Sequence, residues 1–372
     1  MFNATKLGQK LPWNYKRYFL ALIIFGFSHF PNLVSKYYLP YVFKPLSGLL
    51  RIISNKIEFA IGEWLYLIIC ISLIISFIRF LIINFNHFQR IRFWTTIAVD
   101  FLNWVLKWYI LFELFWGLNY QKLPPSTDFE LKLPETYSEA QMDSLSIQLI
   151  SAMNSSRAQL GDSVVKYMPL DSIMEKSIGE FDQIEHQYPF LLYRRPSLKK
   201  STFSAWGDYF GYTAFYQPLT GEAIIRADLP ILTQPFTVCH EIAHQLGYAS
   251  ETEANFIAFV IGTECKDPLF NYSTQLQLFT YAQQAELNSI AKRGDFTQFE
   301  NVIARNKKLM NPKVLADRKI IREFFTRKQS LQIPGSAEMY NQFLLWNKQA
   351  KGIESYNDVL LWALAYTHKK NP

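Results

Sequence analysis

TVCHEIAHQLGYASETEANF, Thr237–Phe256, carries His240 and His244 four residues apart, together with Glu241, Glu251, Glu253 and a single glycine, Gly247. Pro235 suits the first turn of a helix, and Gly247 suits the position just past its end. Between them Phe236, Cys239, Ala243 and Leu246 recur at helical spacing, so a helix here has an apolar face to bury. Residues at i and i+4 project from the same side, which brings the two imidazoles together. Glu241 is rotated off that line. This is the H-E-x-x-H arrangement, in which two neutral imidazoles bind zinc and the glutamate takes a proton from a metal-bound water. Zinc lowers the pKa of such a water to about 7. The motif also arises by chance on ordinary helices, so its surroundings have to carry the reading.

A catalytic zinc has three protein ligands and one open position. A metzincin would need a histidine at position 250, where this chain has Ser250. Glu251, one residue later, has a side chain long enough to complete the set. Glu253 is the alternative, although Ser250 and Glu253 stand at capping-box spacing, which gives Glu253 a structural task. Asn255 lies one helical turn beyond Glu251, where it can hydrogen-bond the far nitrogen of a ligating histidine. Acyl transfer also calls for a donor to the developing oxyanion, and Tyr356 in GIESYNDVL is the candidate.

Working outward, 49% of the 372 residues are hydrophobic and 19% are charged. That is rich for a soluble domain, and most of the excess precedes residue 120. Three stretches approach the ~20 residues needed to cross a bilayer: about 18–34, 64–83 and 96–118. A removable signal peptide would account for the first alone. Asp100 and Lys107, seven residues apart in the third, are expected to face a helix bundle. Lys6, Lys10, Lys16 and Arg17 precede the first stretch, and Arg90 and Arg92 precede the third. Both segments are therefore expected on the cytoplasmic side, with everything after Gly117 outside. His29 and His87 flank the spans and are expected at the interface.

The net charge of +7 comes from scattered residues with no basic stripe, which excludes nucleic-acid binding. The three cysteines, Cys70, Cys239 and Cys265, form no disulfide framework and read as buried thiols, with a Cys239–Cys265 bridge as the alternative. The chain thus divides into an anchor over 1–119, a proline-rich linker over 120–137 and a domain over 138–372. Thr136 and Glu139 have capping-box spacing for a helix running to about Leu160. Helical patterns recur over Thr274–Ala291 and Lys313–Arg327 and at the C-terminus. Asp208–Pro230 reads as a hairpin around QPLTGE. The expected fold is an α-helical membrane anchor of about three spans, followed by a mainly helical α+β zincin-like domain with a small sheet.

His240-Glu241-x-x-His244 followed by Glu251-x-Glu253-Ala254-Asn255 resembles the gluzincin pattern of zinc peptidases. The short gap between His244 and Glu251 departs from the better-known gluzincins and leaves the choice between Glu251 and Glu253 open. The N-terminal spans, GYTAFYQPLTGEA, the opening segment and GIESY together resemble a family of bacterial membrane proteins known as domain of unknown function 3810. The resemblance implies a zinc-peptidase site in a multi-pass protein of the bacterial cytoplasmic membrane, and no particular substrate. The expectation is a membrane-anchored, extracytoplasmic Zn2+ metallopeptidase with Glu241 as general base. Its partners would be a peptide or protein substrate and the lipid bilayer. The alternative is a non-catalytic assembly or sensing protein with a structural or vestigial zinc site. Proteolysis within the bilayer is disfavoured, because the H-E-x-x-H helix has polar flanks and too few apolar residues to span.

Overall fold

Long apolar runs near the N-terminus become helices that keep many apolar side chains outward. In the computed structural model, which describes residues 11–84, 91–134, 136–161, 168–329, 331–335, 338, 342 and 356–370, α1 spans Leu11–Phe27, α2 Lys44–Asn55, α3 Ile61–Asn84 and α4 Ile91–Phe115. Among the described residues one helix, Ile61–Ile83, is long and apolar enough to cross a membrane. Tyr15–Phe27 and Pro31–Asn55 reach that standard only as a pair bent by 101°. The apolar stretch expected over 18–34 is therefore divided. Pro31 opens a new helical turn after Phe30, whose backbone is not helical, and a residue before proline is pushed out of the helical region. A π-helical segment, Val34–Phe43, then leads into α2.

α1 packs along α4. Asp100 and Lys107 lie exposed on the surface of α4 that α1 leaves open, rather than inside a bundle. Cys70 is likewise exposed on α3 and is not a core residue, whereas Cys239 and Cys265 are buried and unbridged. Lys6, Lys10, His87 and Arg90 lie outside the described residues.

The remainder is mainly helical with one small sheet. α5 (Glu139–Gln159) starts at a capping box made by Ser138 and Gln141, two residues later than the expected Thr136 cap. α6 (Leu170–Ile184) follows, then β1 (Leu198–Lys200), β2 (Ala214–Gln217) and β3 (Glu222–Ile225). The three strands lie in the order β1-β3-β2. β2 and β3 form the expected antiparallel hairpin, with Tyr216 opposite Ala223. β1 runs parallel to β3 and had no alternating apolar pattern to announce it.

After the sheet come α7 (Gln234–Gln245), α8 (Glu251–Glu264), α9 (Pro268–Lys292), α10 (Phe296–Leu309), α11 (Pro312–Gln329) and α12 (Tyr356–Lys370). α8 packs against α7, α9 and α12. Its Phe256, Ile257, Ala258 and Val260 are all fully buried. A side chain such as Phe256 contributes roughly 1.5–3 kcal/mol by leaving water, so this helix is the centre of the core.

The N-terminal helices are built into this domain. Val34, Tyr38, Phe43, Trp116 and Leu118 share one buried cluster with Tyr216 and Ala249. The start of α3 is held by two carboxylates. Glu222 accepts from the amides of Ile61 (3.1 Å) and Gly62 (2.6 Å). Glu63 accepts from Ser201 Oγ (2.5 Å) and from the amide of Thr202 (2.6 Å). Residues 120–129, the first part of the expected linker, pack against the domain. A 3-10 turn, Gly117–Gln121, leads to a short helix, Pro125–Asp128, and Lys122, Pro125 and Ser126 are buried.

Candidate metal centre

α7 ends where Gly247 takes a φ of +93°, a left-handed conformation that glycine reaches without strain. Space is short there too. A Cβ on Gly247 would lie 2.9 Å from Phe43 Cε1 and 3.0 Å from Leu39 Cδ1. The reversal after Gly247 brings the start of α8 back beside the histidine face of α7. One possible ligand atom each from His240, His244 and Glu251 then lies within 4.8 Å of the others.

The hydrogen bonds decide which ring nitrogens face this point. His240 Nδ1 is 2.8 Å from Asn255 Oδ1. His244 Nδ1 is 2.6 Å from the carbonyl of Tyr248, which can only accept. His244 therefore carries its proton on Nδ1 when neutral and presents a lone pair at Nε2. The Nε2 atoms of His240 and His244 lie 3.3 Å and 3.8 Å from the Glu251 carboxylate. His240 can meet the Glu251 carboxylate through a ring proton, and a cation placed among the three groups would satisfy all of them at once. This donor set of two imidazoles and one carboxylate fits a divalent zinc ion.

Electrostatics agree with that fit. Burial and the neighbouring His240 push His244 down to about 4, which keeps it neutral. Burial alone would lower His240 as well, but the hydrogen bond and charge of Glu251 raise it on balance. Glu241 is 4% exposed, and its Oε2 has no hydrogen-bond partner among the described residues. Burial pushes its carboxyl up to about 8. A nearby cation reverses such a shift.

Glu253 points elsewhere. It pairs with Lys122 at 3.4 Å, both side chains being buried, and Ser250 makes no side-chain cap bond at the helix start. Glu253 thus keeps its own half of the expected capping box, accepting from the Ser250 backbone amide, and adds a buried ion pair with Lys122. Lys122 Nζ also lies 4.0 Å from the centre of the Tyr248 ring, close behind the carbonyl that receives His244. Tyr356 opens α12, but its side chain lies outside the described residues.

Residues 38–364 match the family described as Protein of unknown function (DUF3810). The chain belongs to the DUF3810 family. No curated protein and no solved structure matches it. The DUF3810 match takes in Tyr38, Trp116 and Lys122 as well as the histidine helix, so both sides of the junction fall within one family segment.

In this DUF3810 protein several site neighbours escape sequence reasoning. Trp116 sets its ring edge-on to His244, with centroids 5.7 Å apart, and lies 4.8 Å from Tyr216 of β2. Its Nε1 donates to the Tyr120 hydroxyl at 3.4 Å. Gln245 ties the end of α7 to the sheet by donating to the carbonyls of Ser197 (2.9 Å) and Gly221 (2.7 Å). None belongs to a motif, because each is set by long-range packing. The bond from Asn255 to His240 has a testable consequence. Asn255→Ala should weaken zinc binding by roughly 10–100-fold without unfolding the chain, read by chelator competition beside a thermal melt.

Proposed function

We propose that this protein is a membrane-anchored zinc metallopeptidase of gluzincin type, acting outside the cytoplasm of a bacterial cell from about three spans in the cytoplasmic membrane. The observation that carries the reading is the convergence of the Nε2 atoms of His240 and His244 on Glu251, beside the buried Glu241. His240, His244 and Glu251 would hold the ion, which when bound acts as a Lewis acid and acidifies a water. Glu241 takes the proton from the attacking water and returns it to the leaving amine. Asn255 and the Tyr248 carbonyl keep the two imidazoles in the tautomer that offers Nε2. β2 is an outer strand of the sheet and lies beside His244 through Trp116, so an extended peptide can add along it.

The topology has its own support. The ends of α1 and α4 and the start of α3 meet at the domain, as expected for a chain that goes out, in and out again. Basic residues at the other ends fit that orientation. The non-catalytic alternative calls for a fourth protein ligand. Among the described residues the cluster has three, and Glu253 is engaged by Lys122.

Metal stoichiometry tests the reading. Full-length protein in detergent should bind one zinc per chain. Glu251→Ala should lose it by more than the roughly 10–100-fold cost of losing a ligand's hydrogen-bond partner, while Glu253→Gln should retain it. Zinc loss in Glu253→Gln, with retention in Glu251→Ala, would reassign the ligand. A wild type that takes up no zinc would refute the proposal.

A further inference from the structure

α2 is amphipathic in the reverse of the usual sense. Its buried face is polar: Ser47, Gly48, Arg51 and Ser54 turn toward the domain. Its outward face is apolar, with Leu49, Ile52 and Ile53 being 54%, 37% and 53% exposed. The polar face is fastened in place. Ser54 Oγ lies 2.8 Å from Ser197 Oγ, Ser47 Oγ lies 3.3 Å from the Tyr216 hydroxyl, and the Arg51 guanidinium sits 5.5 Å from the centre of the Tyr193 ring. The helix therefore cannot roll over to hide its leucine and isoleucines. In water, the hydrophobic effect favours the opposite arrangement. A row of large apolar side chains held outward marks a surface that meets something apolar.

The position of α2 in the chain says what that is. It lies between the two apolar stretches Tyr15–Phe27 and Ile61–Ile83, and the bend of 101° turns the chain nearly at right angles before it. Tyr37, Tyr41 and Val42 before it and Phe59 after it are also exposed. A second group of aromatic residues adjoins the start of α3. Trp64 meets Phe203 edge-on at 5.1 Å, and Phe203 stacks on Trp206 at 4.5 Å. Beyond them Tyr209 and Phe210 are exposed. Aromatic side chains gather where membrane spans meet water. An in-plane helix buries its apolar face at the boundary between headgroups and acyl chains.

We propose that α2 lies in the plane of the bilayer surface, with Leu49, Ile52 and Ile53 in the lipid and its polar face carrying the sheet of the domain. This rests on the membrane-anchored reading above, and depends on neither zinc nor peptide hydrolysis. The structure then stands on the membrane by a floor as well as by its spans, and the candidate metal centre sits close above that floor, since Phe43 at the head of α2 touches Gly247.

The test uses the full chain in liposomes of phosphatidylcholine and phosphatidylglycerol. Nitroxide labels are attached one at a time through Leu49→Cys, Ile52→Cys and Ile53→Cys, with Cys70→Ser to remove the exposed native thiol. Reference labels sit at Ile74→Cys on α3 and Ile303→Cys on α10. Collision with oxygen and with a water-soluble nickel chelate reads the environment. The three α2 labels should meet the chelate several-fold less often than the label at position 303, and oxygen more often. Chelate access equal to that at position 303, with position 74 still protected, would overturn the interfacial placement and leave the anchor intact. Free chelate access at position 74 as well would overturn the anchor, and the floor with it.

Discussion

Glu241→Gln should lower peptide hydrolysis by roughly 10²–10⁴-fold, the usual worth of a positioned general base, while zinc content stays at the wild-type value. The substitution keeps the size and shape of the side chain. It removes the charge and the ability to accept a proton, in a residue that is 4% exposed and touches neither of the hydrogen bonds that orient the imidazoles. Glu241 sits high, at about 8, because burial disfavours its charge. Without a cation it is therefore largely protonated at neutral pH. A divalent ion beside it favours the carboxylate, which ties the appearance of the base to the presence of the metal. The measurement is turnover of a mixture of fluorogenic peptides by zinc-loaded wild type and variant, with metal content recorded on the same samples. A variant that cleaves as fast as wild type would end the proposed mechanism.

Removing residues 1–119 should abolish both cooperative folding and zinc binding in the remaining fragment. Val34, Tyr38, Phe43, Trp116 and Leu118 all bury against Tyr216, Ala249 and one another. Each contributes roughly 1.5–3 kcal/mol by burial, a sum comparable with the roughly 5–15 kcal/mol by which whole domains are stable. The cut also takes away the amides that satisfy Glu222, which is fully buried. Among the described residues only Thr220 Oγ1, at 2.8 Å, is left to donate to this carboxylate, and a buried carboxylate short of donors is costly. Near-ultraviolet circular dichroism and zinc titration of the fragment, beside the full chain in detergent, read both effects. A fragment that melts cooperatively and binds zinc would show that residues 1–119 are not needed to hold the domain together.

The site is legible in the sequence wherever its geometry is local. His240 and His244 share a face because they are a helical turn apart. Glu251 and Asn255 return to them because Gly247 reverses the chain between two helices. The β2–β3 hairpin is readable from its turn. What escapes is set by distance in the chain. Nothing around Lys122 shows that Glu253, more than a hundred residues later, will claim it. Nothing around Trp116 points to His244. The proline-rich stretch over 120–137 has the composition of a linker, yet packing holds Lys122, Pro125, Ser126 and Phe129 within it. The outward placement of Asp100 and Lys107 depends likewise on which neighbours the helix meets, whereas the division of the first apolar stretch has a local cause in Pro31.

Glu222 accepts from the first amides of α3, and Glu63 of that same turn reaches out to Ser201 and Thr202, so the turn is clamped to the domain by bonds made in both directions. In the proposed membrane setting, the hydrolytic centre then rides at a constant height above the lipid, like a blade fixed to a bench. For a polypeptide that is itself tethered in the same membrane, such a mounting works as a ruler. Under the proposed hydrolytic reading, the scissile bond would be chosen by its count of residues from the bilayer surface before any side-chain preference acts, and lengthening the segment near the membrane would shift the cut by the number of residues inserted.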